Sequence, residues 1–156
     1  MNQDFVDLLR SFIARDVRFL VVGAYALAVH GTPRATGDLD VWVDATPENA
    51  PRVLRALAEF GAPMQGLTDT DFARPGIVYQ MGFPPGRIDV LTNLTGLTFA
   101  EAWPDRTEQP LEGMNVPVIG REAFIRNKKA TGRPRDLGDL EDLAWRAAVP
   151  GCLPGI

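Results

Sequence analysis

The chain has 156 residues, 46% hydrophobic and 23% charged, a composition that suits one folded domain and excludes disorder as its main state. Its net charge of −4 excludes a global positive field for nonspecific binding to nucleic acid. The single cysteine, Cys152, excludes an internal disulfide or a thiolate metal cluster, and no apolar run is long enough to cross a membrane. We therefore expect a cytoplasmic protein that makes no membrane contact.

The first half of the chain reads as helices alternating with short strands. Apolar residues at helical spacing predict an amphipathic helix over 5–13, and a β-branched apolar run predicts a buried strand over 19–22. Good helix formers predict a helix over 24–29, and strict alternation predicts a half-buried strand over 38–43. A helix over 47–60 is predicted from a threonine N-cap, a proline in its first turn and a glycine at its end.

The second half adds a hairpin and a helical end. Strand-like runs over 77–81 and 87–91 flank a loop rich in glycine and proline, which predicts a hairpin. A further strand is predicted over 116–119, followed by helices over 121–130 and 136–147. The chain contains no internal repeat and no low-complexity segment.

Two aspartates lie on the polar face of the predicted strand over 38–43. Residues two apart on a strand point the same way with Cα atoms about 6.6 Å apart, so Asp38 and Asp40 can converge on one point. Asp89 would join them if its strand were a neighbour, giving the oxygen-only ligand set that Mg²⁺ or Mn²⁺ prefers. An Asp-x-Asp pair by itself is more often a solvated strand edge, and this alternative stays open.

A glycine turn precedes these carboxylates. Gly23 and Ala24 follow an apolar strand and open a helix, so their backbone N–H groups and the helix dipole can receive a phosphate. A Gly-Ala pair alone is more often only a tight turn. The turn and the carboxylates together favour a phosphate-binding, metal-binding site.

Val22-Gly23-Ala24, followed after a gap by Asp38-Leu39-Asp40, resembles the signature of the DNA polymerase β-type nucleotidyltransferase superfamily. The lead-in over 30–36 and the downstream run Arg87-Ile88-Asp89-Val90-Leu91 resemble the small bacterial branch that includes AbiEii-type toxins and stand-alone nucleotidyltransferase-like proteins. The C-terminal part carries that branch's pattern of a lysine followed by a basic, aspartate-rich stretch over 128–140.

This resemblance implies a fold and an activity. The fold would be α+β, a mixed sheet of about four to six strands with helices packed on it. One domain would span 1–149, with C-terminal helices from about 121 and a frayed tail over 150–156. The activity would be transfer of a nucleoside monophosphate from an NTP such as ATP to a hydroxyl, with release of pyrophosphate and with two Mg²⁺ or Mn²⁺ ions.

The resemblance also implies roles for single residues. Asp38 and Asp40 would hold both ions, and Asp89 would bind the ion that activates the acceptor hydroxyl and accept its proton. Ala24 stands where many members have serine or glycine, which removes a hydroxyl contact but leaves the backbone donor. The candidate phosphate-binding residues are Gly23, Ala24, Arg34, Thr36, Lys128 and Lys129. The sequence does not decide which of the two lysines contacts phosphate.

Four other residues are assigned structural interpretations. His30 is expected to pack and hydrogen-bond, while Trp42 and Tyr25 are ambiguous between burial and stacking on a base. Asp136 precedes an apolar periodicity that includes Leu137, so we interpret it as a helix N-cap.

The acceptor of the transferred group stays open between a tRNA 3′ end, a side chain of a partner protein and a small molecule such as an aminoglycoside. A local basic segment over 126–135 is large enough for a tRNA end or a triphosphate. A role in a toxin–antitoxin system is one possibility. The alternative is a non-catalytic, nucleotidyltransferase-like antitoxin or regulatory protein that acts by contact.

Overall fold

The computed structural model describes residues 1–31 and 37–148. The helix α1 follows an apolar periodicity of the sequence, and the strands β1 and β2 follow its short β-branched runs. The helices are α1 (Gln3–Ala14), α2 (Gly23–Val29), α3 (Ala50–Phe60), α4 (Asp69–Phe72), α5 (Phe99–Ala102), α6 (Arg121–Thr131) and α7 (Pro134–Ala148). The strands are β1 (Phe19–Val22), β2 (Asp38–Val43), β3 (Val78–Met81), β4 (Arg87–Leu91), β5 (Thr107–Leu111) and β6 (Met114–Val118).

The strands of the described chain form one six-stranded sheet in the order β3-β4-β2-β1-β6-β5. The pairs β2–β4 and β1–β6 are parallel, and the other pairs are antiparallel. The mixed sheet and packed helices confirm the predicted α+β class. The pairing of β2 with β4 is decisive for the site, because it makes the two aspartate-bearing strands neighbours.

The core lies between the sheet and its helices. β1 is buried along its whole length, as expected of a central strand with β-branched residues on both faces. α1 buries one apolar face that includes Phe5, Leu9 and Phe12, and it packs against α3. Within the described ranges, no helix combines the length and the apolar character that a membrane crossing requires.

Two predicted boundaries were wrong, and one strand was not predicted. The helix predicted over 47–60 begins at Ala50, and the Thr46 hydroxyl accepts a hydrogen bond from the Asn49 N–H in the turn before it. Gly61 does end that helix in the left-handed conformation. The strand predicted over 116–119 is β6, which starts earlier at Met114. Its edge partner β5 was not predicted because a polar run containing Pro110 has no apolar alternation.

The C-terminal helix also departs from its prediction. α7 begins at Pro134, which places Asp136 inside the first turn and not at the N-cap. The side-chain carboxylate of Asp136 reaches back to the backbone N–H of Arg133 at 3.2 Å, a reversed form of capping. Leu137, predicted to lie on an apolar face, is exposed because Asp136 and Asp139 occupy the buried side of the helix. The tail over 150–156 lies outside the described residues.

Candidate active site

Strand register brings the three predicted carboxylates together. Asp40 of β2 is directly opposite Asp89 of β4, and Asp38 is opposite Arg87. Partners in a parallel pair, and residues two apart on one strand, point to the same face of the sheet. Asp38, Asp40, Asp89 and Arg87 therefore share one face, with neighbouring strands about 4.8 Å apart.

The pKa of the Asp40 carboxylate is strongly perturbed. Burial, the nearby charge and hydrogen bonding of Asp89, and the charge of Asp38 together raise the pKa of Asp40 from 3.8 to about 6, against a smaller opposing effect of Lys128. The protonated form can donate to Asp89. All three carboxylates of this cluster can be ionised together only if nearby cations balance their negative charge.

Arg87 supplies one such cation, and it was not among the predicted site residues. Its Nη2 donates to Oδ2 of Asp38 at 2.9 Å, and its Nε lies 3.4 Å from Oδ1 of Asp89. The signal available in the sequence was its position two residues before Asp89 on a strand, which places both side chains on one face. Arg87 therefore bridges two of the three carboxylates.

Gly23 is required by the close approach of Asp40. The antiparallel register sets Val22, the last residue of β1, opposite Asp40, so the next residue turns past that carboxylate. Gly23 has a φ of +68°, and a Cβ at this position would lie 2.3 Å from Oδ2 of Asp40. Gly23 and Ala24 both line the cleft that contains the carboxylates.

The two candidate lysines have different environments. Lys128 lines the cleft with a side chain only 11% exposed, and its Nζ lies 3.3 Å from Oδ1 of Asp136 and 3.9 Å from Oδ2 of Asp139. Lys129 is exposed and is not among the residues that line the cleft. The structure thus places Lys128 in the cleft beside Asp40 and leaves Lys129 facing solvent.

Asp136 anchors the junction between α6 and α7. Its buried carboxylate accepts hydrogen bonds from Oγ1 of Thr131 at 2.7 Å and from Nε of Arg133 at 2.7 Å. Burial alone would raise the pKa of Asp136, but the hydrogen bonds from Arg133 and Thr131 and the charge of Lys128 hold it well below its usual range. The predicted N-cap is thus a buried anion that holds Lys128 in place.

The cleft has a volume of about 750 Å³, which suits a ligand of nucleotide size. Its walls contain three polar residues that sequence reasoning missed, because no local pattern marks residues that converge only in the fold: Asn93, Thr95 and Asn127. Arg133 and Arg135, from the basic segment noted in the sequence, also line the cleft.

The remaining candidates lie elsewhere. Nε2 of His30 lies 2.8 Å from the carbonyl oxygen of Ile119, to which it donates, so His30 ties α2 to the end of β6. Trp42 is buried and packs edge-on against Phe99, and Tyr25 packs edge-on against Phe5, so neither faces the cleft. Arg34 and Thr36 lie outside the described residues.

The donor set suits a hard divalent ion. Asp89 is 7% exposed, and its Oδ1 is a buried oxygen that receives no hydrogen bond, the kind of acceptor that a metal ion satisfies. Among residues 1–31 and 37–148, no group of three or more Asp, Glu, His or Cys side chains has the arrangement of a formed ion site. The guanidinium of Arg87 contacts two of the carboxylates there.

Comparison with known proteins identifies the fold. Neither a family model nor a curated protein sequence matches the chain. Solved structures do: a candidate nucleotidyltransferase from Thermotoga maritima superimposes with a TM-score of 0.57 at 16% identity, covering 96% of each chain. The chain has the nucleotidyltransferase fold.

Two antibiotic-modifying proteins have the same fold. The antibiotic-resistance factor ANT(2″)-Ia, solved in solution, gives a TM-score of 0.60 at 15% identity over 93% of this chain and 83% of its own. The lincosamide antibiotic adenylyltransferase LnuA, solved with lincomycin bound, gives 0.55 at 15% identity over 92% of this chain and 96% of its own. At these identities the nucleotidyltransferase likeness concerns the fold.

Proposed function

We propose that the chain is a divalent-metal-dependent nucleotidyltransferase that moves a nucleoside monophosphate from an NTP to a hydroxyl group. The observation that carries this proposal is the convergence of Asp38, Asp40 and Asp89 beside the Gly23 turn, at the wall of a nucleotide-sized cleft in a nucleotidyltransferase fold. Membership of the AbiEii-like branch belongs to the same proposal and rests on the sequence motifs.

Nucleotidyl transfer requires that the reacting groups be held in place and that the charge developing on the phosphates be stabilised. Asp38 and Asp40 would hold both ions and Asp89 one of them, and the ions would supply Lewis-acid stabilisation of the charge that develops on the phosphates. Asp89 also accepts the acceptor's hydroxyl proton while the acceptor oxygen forms a bond to the α-phosphorus. The bond from that phosphorus to the bridging oxygen breaks, and pyrophosphate leaves with the electron pair.

The phosphate chain would lie between the glycine turn and α6. The backbone N–H groups of Gly23 and Ala24 begin α2, whose first turn has no side-chain cap. Lys128 provides a cation in the same cleft, whereas the exposure of Lys129 speaks against phosphate contact. Arg34 and Thr36 stay proposed phosphate ligands on the strength of the sequence motif.

The charge of the cleft bears on the acceptor. Among the described residues that line the cleft, the acids are the three proposed metal ligands, while the cations are Arg87, Lys128, Arg133 and Arg135. Arg87 is paired with Asp38 and Asp89, and both Lys128 and Arg133 are paired with Asp136, so charge alone does not select the acceptor. A tRNA 3′ end, a side chain of a partner protein in a toxin–antitoxin pair and a small molecule such as an aminoglycoside all stay candidate acceptors.

A second candidate function is favoured by one contact. Arg87 neutralises part of the carboxylate cluster in the way expected of a protein that keeps the fold without the chemistry. Such a protein would act as a regulatory or antitoxin partner. It would bind its partner without transferring a nucleotide.

One labelling experiment separates these functions. The protein is incubated with each α-³²P-labelled NTP, Mg²⁺ or Mn²⁺, and either total tRNA, a cell lysate or lincosamide and aminoglycoside antibiotics. Label transferred to an acceptor by the wild type and lost in Asp40→Asn supports the enzyme. The exposed Asp7 of α1 provides the matched control Asp7→Asn, which should keep full transfer. No transfer to any acceptor with any NTP would favour the binding protein.

A further inference from the structure

Arg87 occupies a singular place in the carboxylate cluster. It lies opposite Asp38 in the β2–β4 register and two residues before Asp89 on β4, so its side chain shares their face. One guanidinium contacts both carboxylates, donating to Oδ2 of Asp38 at 2.9 Å and lying 3.4 Å from Oδ1 of Asp89. A cation held between two carboxylates stands where a divalent ion would be expected.

The contacts of Arg87 are incomplete. Its Nε and Oδ1 of Asp89 are both buried, and neither makes a hydrogen bond, although they lie within ion-pair distance of each other. Buried charged groups that forgo hydrogen bonds raise the free energy of the state that contains them. A ligand that satisfied Oδ1 of Asp89 better would therefore compete with the guanidinium for this carboxylate.

The open cleft beside Arg87 leaves room for its side chain to move away from the carboxylates. This side chain is 33% exposed and lines the cleft of about 750 Å³. Lys128, a second cation of the cleft, is already engaged by Asp136 and Asp139, so it does not offer the same counter-charge to Asp38 and Asp89. A divalent cation that binds the same two carboxylates would compete with the guanidinium for them.

We propose that Arg87 is an internal counter-ion that holds the carboxylates together in the metal-free protein and competes with the divalent ion for them. This inference rests on the proposed metal site at Asp38, Asp40 and Asp89. Arg87 is a positioning residue in this scheme. It keeps Asp38 and Asp89 close together in the metal-free protein, and it lowers the affinity of the site for a divalent ion in the absence of nucleotide.

The test measures binding of Mn²⁺ alone, without nucleotide, from the loss of the free-ion signal in electron paramagnetic resonance. Arg87→Gln should bind Mn²⁺ at least about tenfold more tightly than the wild type, because a positive charge leaves the site. Arg15→Gln removes a charge from an ion pair between α1 and α3 outside the cleft and should match the wild type. In EDTA, Arg87→Gln should melt at a lower temperature, since Asp38 and Asp89 both lose their contact with the guanidinium.

Arg87→Lys keeps the inference testable if Arg87→Gln does not fold. Lysine retains the charge but lacks the planar fork that reaches both carboxylates, so its Mn²⁺ affinity should lie between those of the other two proteins. Equal or weaker Mn²⁺ binding by both Arg87 variants, with binding still lost in Asp40→Asn, would overturn the inference and leave the metal site intact. No Mn²⁺ binding by any of the proteins would overturn the metal site itself, and the inference with it.

Discussion

The substitution Asp40→Asn separates a metal ligand from a structural hydrogen-bond acceptor. In the metal-free protein the pKa of Asp40 is raised from 3.8 to about 6, chiefly by burial and by the charges of Asp89 and Asp38. A difference of about two pKa units corresponds to about 3 kcal/mol. Asparagine has nearly the same shape as aspartate and cannot ionise. Its side-chain amide N–H can donate to Asp89 in place of the O–H of protonated Asp40.

The sign of the pH effect follows from the raised value. Between pH of about 4 and about 6 the folded protein binds a proton at Asp40 that the unfolded chain has released, so stability falls as pH rises through this interval. The stability of the Asp40→Asn variant should not fall in this pH interval, because asparagine does not titrate. We expect equal free energies of unfolding near pH 4, and a variant more stable by about 3 kcal/mol near pH 7.5, both in EDTA.

Urea denaturation followed by tryptophan fluorescence measures these free energies, since Trp42 lies buried in the core beside the site. Asp7→Asn on the surface of α1 is the matched control and should show no pH-dependent gap. Adding Mg²⁺ and NTP should raise the melting temperature of the wild type and not that of Asp40→Asn. A variant that is less stable at every pH and keeps its full ligand shift would refute the reasoning.

Three further predictions follow from single contacts. Gly23→Ala should lower the free energy of unfolding by about 1–3 kcal/mol, because alanine would have to adopt a left-handed backbone conformation and its Cβ would collide with the carboxylate of Asp40. The displaced carboxylate should no longer bind Mn²⁺, and unchanged Mn²⁺ binding by calorimetry would contradict this. Lys128→Ala should weaken NTP binding and lower stability while Lys129→Ala changes neither, and equal effects in both would place the phosphates elsewhere. Asp136→Asn should lower the free energy of unfolding by about 3 kcal/mol near neutral pH, because the ion pairs of Asp136 are lost. The wild type should lose stability as the pH falls, because the pKa of Asp136 is lowered in the folded state, and the variant should lose less. The same loss of stability at acid pH in both proteins, measured by urea denaturation, would argue against these ion pairs.

The C-terminal helix shows where periodicity alone misleads. The spacing of apolar residues predicted a buried Leu137, yet Leu137 is exposed, and Asp136 and Asp139 share the buried side of α7 with Leu143. Periodicity reports which residues share a face, whereas the partners across the interface decide whether that face is apolar. Here Lys128 and Arg133 pair with Asp136, which allows a carboxylate to be buried on this side of α7.

The sequence by itself determined the local features of this protein. Period and propensity are properties of neighbouring residues, so the helix α1, the strand β2 and the shared face of Asp38 and Asp40 could be predicted without the fold. The glycine turn at Gly23 was likewise visible, although the reason for it was not.

Only the tertiary structure decided which distant residues meet. The pairing of β2 with β4 brings Asp89 to Asp40 across almost fifty positions of sequence, and the same register inserts Arg87 between the carboxylates. Lys128 was separated from Lys129 by the packing of α6 on α7. These outcomes depend on strand order and interhelix contacts, which are set by the free energy of the whole packed chain and leave no local pattern in the sequence.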